Sequence, residues 1–565
     1  MSKKTIYYNG AVYTGELPLT EAFVVESGRF VFAGSSEEAL NMACSEGGDS
    51  LVNLKGRFVC SGFNDSHMHL LSFGNLLTRA QLAERTGSLA DMVQCLKEFK
   101  KEHQMEEGWE KENLEQEGQA EAKTVRWLVG RGWNQDYFAD VDRMPNRYDL
   151  DQVSEKIPVC AVRACGHCLV VNSKALELLG VTKGTPQPDG GRIGMEDGEP
   201  DGRFFDNAMD MVYERIPAPD KEALKDMIRS ACRQLNRFGI TSCQSDDYCV
   251  FSNVPWQEVN QVYKELEESG ELTVRVYEQS NFAGLDKLQE FVEAGNCTGV
   301  GSELFRIGPL KLLGDGSLGS RTAYLSRPYA DDSSTCGIPV FSQETLDEMI
   351  GYADRHGMQV AVHTIGDACL DRVLGAYEKI WAEHQMSRKE RRHGVVHCQM
   401  TRPDQLEKIA AMNLHVYAQS IFLDYDIQIV EPRVGEKLAS TSYSWKTLMK
   451  KGVSVSNGSD CPVELPDVMA GIQCAVTRKN LKGTTGPYLP DEAFTVQEAL
   501  DSYTKEGARA SFEEKVKGQI QPGMMADFVV LEENPFAADP AEIKNIKILG
   551  TYLGERQVFD ISVDE

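Results

Sequence analysis

Short apolar runs rich in β-branched residues recur along the chain, with amphipathic stretches between them. This is the pattern of strands alternating with helices in a mainly parallel sheet. Eight runs read as strands: Phe58–Phe63, Gly239–Ser245, Leu272–Gln279, Phe305–Leu313, Gln359–His363, Gly394–His397, His415–Gln419 and Val453–Ser456. Eight is the number that closes a (β/α)8 TIM barrel. Gln343–His356 and Arg402–Met412 carry the periodicity of outer helices between them. The fold class expected is α/β, a barrel of this kind occupying residues 58–515.

Two regions fall outside that alternation. Thr5–Tyr13, Ala22–Phe32 and Ser50–Leu54 read as short strands with glycine turns, and so does the C-terminal stretch with Asp527-Phe-Val-Val-Leu531 and Gly550-Thr-Tyr-Leu-Gly554. Together, residues 1–57 and 516–565 are expected to form one small β-sandwich domain. The stretch 74–238 is too long for a single barrel crossover. It has its own strand-like runs (Arg126–Gly130, Pro158–Val162) and a helical one (Ser173–Leu179), so it reads as an inserted α+β cap. Within it, Lys101–Lys123 is glutamate-rich and poor in aliphatics, a solvated helix or loop without chemistry.

Composition narrows the function. In 565 residues, 41% are hydrophobic and 26% charged, enough apolar material for a sizeable core. A formal charge of -27 argues against nucleic acid or an anionic membrane as partner and says little about substrate, since local fields in a metal site can oppose it. The N-terminus lacks the apolar core of a signal peptide, and no apolar stretch is long enough to span a bilayer. Fifteen scattered cysteines, an odd number, then read as reduced thiols of a cytoplasmic protein. Cys165-Gly-His-Cys168 has CxxC spacing, but no second CxxC completes a tetrahedral zinc site.

The polar residues that end the strand-like runs carry the chemistry. In Asp65-Ser66-His67-Met68-His69 two histidines stand two apart, and in a strand they face the same side and can grip one metal ion. His363, His397 and Asp460 follow at the ends of later runs, where the catalytic rim of a barrel lies. Asp460 can touch a metal and accept a proton from its water, or else cap the next helix. Lys311 sits inside an apolar strand. Burial favours its neutral amine, which can add carbon dioxide to give a metal-bridging carbamate, whereas an unmodified lysine would pair with Asp315. His103, His356, His384, His393 and His415 read as surface residues.

The order His67-x-His69, Lys311, His363, His397, Asp460 resembles the amidohydrolase superfamily. Gly130-Arg-Gly-Trp133-Asn, Gly166-His167…Asn172-Ser-Lys-Ala-Leu, Asp315-Gly-Ser-Leu-Gly-Ser-Arg321, Gly458-Ser-Asp460-Cys-Pro-Val and Ala526-Asp-Phe-Val-Val-Leu531 point within it to the YtcJ-like branch (amidohydrolase 3 family), which includes N-substituted formamide deformylase. The resemblance spans nearly the whole chain. It implies a metal-dependent hydrolase that cleaves an amide-type, non-peptide C–N bond of a small molecule by metal-activated hydroxide, with Asp460 as general acid and base. It implies zinc, one ion or two: His67, His69 and Asp460 at the first, His363 and His397 at the second, carboxylated Lys311 between them. His167 is expected to hydrogen-bond substrate. Trp133 reads as an apolar wall or as core, Arg321 as a partner of a substrate carboxylate or of Asp315. A homodimer is expected from the same resemblance. The alternatives are a lactone or phosphoester hydrolase on the same centre, or a non-catalytic binding protein.

Overall fold

The protein is described by a computed structural model covering residues 3–43, 48–105, 126–164, 167–188, 190–282, 284–383 and 391–564. It divides into two compact units, one made of Met1–Phe73 with Leu224–Glu565 and the other of Gly74–Ala223.

An eight-stranded parallel sheet forms the centre of the first unit: β1 Phe63–Met68, β2 Ile240–Ser245, β3 Arg275–Asn281, β4 Phe305–Leu313, β5 Val360–Thr364, β6 Gly394–His397, β7 His415–Ala418 and β8 Val455–Asn457, each hydrogen-bonded to the next. Helices such as Lys221–Arg237, Trp256–Glu268, Gln343–Arg355 and Pro403–Met412 alternate with them and turn apolar faces inward. The first strand lies further along than the apolar pattern indicates. Phe58–Ser61 belongs to a different sheet, where it pairs antiparallel with Phe528–Leu531.

The barrel is nearly closed. Beyond β8 the chain meets β1 through Asp460 N–H to His67 O (2.8 Å) and His69 N–H to Cys461 O (2.8 Å). The Asp65 carboxylate accepts from the Ser459 N–H (3.0 Å), the Ser459 hydroxyl and the His67 N–H (3.2 Å), and so clamps the two ends of the sheet together. Gly458 sits at that seam. A Cβ there would lie 2.5 Å from the His67 nitrogen, so only glycine permits the approach.

Two further sheets of this unit use both chain ends. One holds Lys4–Tyr8, Ala22–Glu26, Arg29–Gly34 and Ser50–Asn53; the other joins Ala11–Val12 and Phe58–Ser61 to Phe528–Leu531, Ile548–Leu553 and Arg556–Asp560. Tyr7, Phe23, Phe30 and Phe528 share one apolar cluster drawn from both sheets, with Tyr7 stacked on Phe23 at 4.6 Å. A buried bidentate pair ties this region to the barrel: Arg275 of β3 donates to Asp527 at 2.7 and 3.0 Å.

The second unit has a six-stranded sheet in the order Gly191–Glu196, Glu199–Asp206, Cys168–Val171, Val159–Arg163, Leu128–Trp133, Ala80–Gln81. Helix Ser173–Leu179 starts at Asn172, whose side chain accepts from the Ala175 N–H. Most of the glutamate-rich segment, together with Cys165 and His384, lies outside the described residues. Among the described residues, no helix is long and apolar enough to cross a membrane.

His393 and His415 are buried, not exposed as expected. Each is accommodated by a partner: His393 accepts from the Val360 N–H and meets Asp354 (3.1 Å), and His415 lies 2.8 Å from Ser456 Oγ. Burial, with Arg509 and Arg392 nearby, lowers His415 from 6.5 to about 3. Below pH 6.5 the unfolded chain takes up a proton that the folded chain refuses, so this contribution to stability is present above 6.5 and is lost as pH falls toward about 3. His415→Gln is expected to lose less melting temperature than wild type over that window, as followed by circular dichroism.

Candidate metal centre

The C-terminal ends of β1, β4, β5 and β6 and the turn after β8 bring six expected residues, His67, His69, Lys311, His363, His397 and Asp460, to one end of the barrel. His67 and His69, two apart on β1 and just beyond it, direct Nε2 at the same Asp460 oxygen, 3.3 and 3.1 Å away. Ligand atoms of these three residues all lie within 4.8 Å of one another, a group able to hold a metal ion. The remaining imidazoles close the ring. His397 is 5.6 Å from His67 and 4.4 Å from His363, centroid to centroid. His397 and Asp460 adopt left-handed backbone (φ 71° and 58°), which non-glycine residues seldom do and which concentrates at functional sites.

Orientation of the histidines comes from residues that the sequence pattern did not single out. Gln279 on β3 donates Nε2–H to Ser66 O (3.1 Å), which turns its Oε1 to His67 Nδ1 (2.6 Å). The Nδ1–H of His69 donates to the backbone oxygen of Asp246 (3.2 Å). With Nδ1 of each imidazole engaged in this way, Nε2 of each is left for the site, where it meets Asp460 and where it would face a metal. Gln279→Leu leaves His67 Nδ1–H unpaired and is expected to weaken metal affinity by about 10–100-fold, measured by competition with a chromogenic chelator.

Lys311 is fully buried, and its Nζ has no hydrogen-bond partner; its acidic neighbour is Asp246, at 3.6 Å, and not Asp315. Both ring nitrogens of buried His397 are also without a partner. Unsatisfied buried groups of this kind are costly unless something binds them. Four imidazoles, a carboxylate and an amine suit a zinc-like ion, so the residues fit the expected metal.

Electrostatics at the site follows from burial and proximity. Burial, then the charge of Lys311, lowers His67 to about 4. For His69 burial opposes protonation, but the bond to Asp460 and the charges of Asp460 and Asp246 outweigh it and raise it to about 9. Burial pushes the Asp460 carboxyl up, yet the bonds from His67 and His69 hold it well below the usual carboxylate range. Burial raises Asp65, beneath them, to about 7 despite its bonds from Ser459. Helix capping is left to Asp467, which accepts from the Ala470 N–H at the start of Val468–Thr477.

Other expected site residues have different surroundings. His363 donates Nε2–H to Gly316 O (3.1 Å) beside Asp315, which leaves Nδ1 for a ligand. Asp315 instead accepts from the N–H groups of Tyr324, Ile365 and Gly366. Arg321 forms a bidentate pair with Asp331 (3.1 and 2.9 Å), not with Asp315. Trp133 is fully buried in the apolar core of the second unit and donates to Ala161 O (2.9 Å), so its surface is used in packing. His167, in that unit, is exposed and lies 3.2 Å from Asp206 Oδ1.

A parallel barrel with imidazoles and a carboxylate gathered where its strands end is the architecture of a hydrolase of the amidohydrolase class. The profile of the Amidohydrolase family matches residues 50–559, and the chain belongs to that family. It is 32% identical over 563 residues to the putative amidohydrolase YtcJ of Bacillus subtilis (strain 168), covering 99% of this chain and all of the relative. It is 22% identical over 542 residues to N-substituted formamide deformylase of Arthrobacter pascens, covering 94% of each. Among solved structures it is similar to an uncharacterized metal-dependent hydrolase from Pyrococcus furiosus, with a TM-score of 0.74, 28% identity, and coverage of 94% of this chain and 100% of that one.

Proposed function

We propose that the protein hydrolyses an amide-type, non-peptide C–N bond of a small molecule. The observation that carries this reading is the convergence of His67, His69 and Asp460 beside two buried groups, His397 and Lys311, whose side-chain nitrogens make no hydrogen bond. His67, His69 and Asp460 would hold one divalent ion, zinc by donor type, and His363 and His397 a second, with Lys311 as a carbamate between them. Such ions supply Lewis acidity towards water and towards a carbonyl oxygen.

The chain's own residues handle geometry and protons. Gln279 and the Asp246 carbonyl hold the two β1 histidines in the tautomer that ligates. Asp460, kept anionic by its two histidine contacts, takes the proton of the water that adds to the carbonyl carbon. It then delivers that proton to the nitrogen as the C–N bond breaks, so that amide and water become acid and amine. The left-handed backbone at Asp460 turns the carboxylate back onto β1, where both ligation and proton transfer are in reach.

The test is a panel of N-substituted formamides, longer N-acyl amines, lactones and phosphotriesters, offered to zinc-reconstituted protein with bicarbonate present. Highest kcat/KM on an N-acyl compound is expected. A lactone or phosphotriester turned over faster than every N-acyl compound would overturn the C–N assignment and leave the hydrolase class.

A further inference from the structure

Beside the metal centre the rim gathers carboxylates whose partners are neutral. Phe422, in the turn that follows β7, stacks on His397 with centroids 5.9 Å apart and planes 20° apart. The short helix Leu423–Asp426 that follows carries Asp424 and Asp426, and Glu464 lies in the segment after β8, four residues past Asp460. Among the described residues no ion pair is made by these three carboxylates, and Asp424 accepts from the Leu481 N–H (2.6 Å). Asp426 instead accepts from the Tyr443 hydroxyl (2.7 Å) and, at 3.3 Å, from the amide of Gln399, two residues beyond His397. Burial and the charges of Asp424 and Asp426 raise Glu464 to about 7, as expected where carboxylates crowd with no cation between them.

Gln399 supplies a second, independent sign. It is 1% exposed, its Nε2 is turned onto Asp426, and its Oε1 has no hydrogen-bond partner. Gln419, at the end of β7, repeats the arrangement: it is fully buried, its Nε2 donates to Tyr417 O, and its Oε1 is unpartnered. Both amides have a hydrogen bond from their NH2 and offer only a carbonyl oxygen. Neither an anion nor a neutral acceptor satisfies such a surface. A group rich in N–H donors and positively charged does, and the face of Phe422 is compatible with it.

We propose that this rim, formed by Gln399, Gln419, Phe422, Asp424, Asp426 and Glu464, is a subsite for a protonated amine carried by the substrate. This deepens the hydrolase reading, on which it rests for the word substrate: the molecule cleaved bears a cationic nitrogen besides the one in its scissile bond. The carboxylates pair with the ammonium and the glutamine oxygens accept its remaining protons, and the acyl group is then oriented towards His397 and Asp460.

Calorimetric titration of the zinc-loaded protein with hexylamine, protonated at neutral pH, and with 1-hexanol tests this without requiring turnover. Hexylammonium is expected to bind tighter than the alcohol. Asp426→Asn and Glu464→Gln should each weaken the amine by about ten-fold, which corresponds to about 1.4 kcal/mol, and leave the alcohol unchanged. Glu464→Gln keeps the Tyr443–Asp426 bond and decides the matter if Asp426→Asn does not fold. Equal binding of amine and alcohol, or amine binding indifferent to Glu464→Gln as direct ligation of zinc would be, overturns the subsite. Amine binding that depends on Glu464 in a protein that cleaves no N-acyl compound would uphold the subsite and remove the hydrolytic reading. Turnover of neutral amides without amine recognition would do the reverse.

Discussion

Asp460→Asn is expected to lower kcat and kcat/KM together by about 10²–10⁴-fold, the range for loss of a positioned general acid–base, with KM little changed. Among the described residues, Asp460 is the carboxylate that meets both β1 histidines. Asparagine preserves its shape, and the Asp460 N–H to His67 O bond that closes the barrel seam is a backbone bond and survives. Unchanged circular dichroism with lost turnover therefore separates chemistry from folding. Turnover equal to wild type would show that the proton passes elsewhere.

Stripping the metal is the second large effect. Dialysis against a chelator should abolish turnover, and zinc should restore it. The melting temperature should fall at the same time. A ligand present at a thousand times its Kd contributes about 4 kcal/mol to the folded state, and the buried Nζ of Lys311 and both nitrogens of His397 have no hydrogen bond to lose to it. Full activity with the same melting temperature after chelation would contradict a metal centre at these residues.

How much of this was legible in the sequence depended on how far each feature wrote itself into hydrophobic patterning. Strands β2 to β8 are apolar runs that end in polar residues, so their positions and their C-terminal chemistry could be read directly. β1 could not. Its residues Asn64, Asp65, Ser66 and His67 are polar yet buried, because the barrel seam and the site satisfy them, and the more apolar Phe58–Ser61 next to it drew the assignment five residues early. The ligands were visible because histidine at a strand end is rare and recurred in order. Gln279, Asp246 and Asp65 were not visible. Their roles consist of hydrogen bonds to a ligand or its loop, and a buried glutamine or aspartate has no signature of its own.

Long-range pairings were misjudged for a related reason. Asp315 is one alternative partner for both Arg321 and Lys311 in the sequence, but three backbone N–H groups already occupy that carboxylate. Arg321 turns to Asp331, shared with Arg433, and Lys311 faces Asp246, just beyond β2. His393 and His415 were placed at the surface by their position at strand starts, where a chain with unpaired imidazoles would expose them. Asp354 and Ser456 make burial of the neutral ring acceptable.

The most direct measurement is the metal content of protein purified without chelator and with bicarbonate present, by inductively coupled plasma mass spectrometry, for wild type and for His67→Ala and Lys311→Ala. Expected is zinc bound stoichiometrically to wild type, lost in His67→Ala, and reduced in Lys311→Ala if the lysine bridges two ions. Wild-type protein that retains no divalent metal under any of these conditions would contradict the metal centre, and with it the hydrolytic function built on His67, His69 and Asp460.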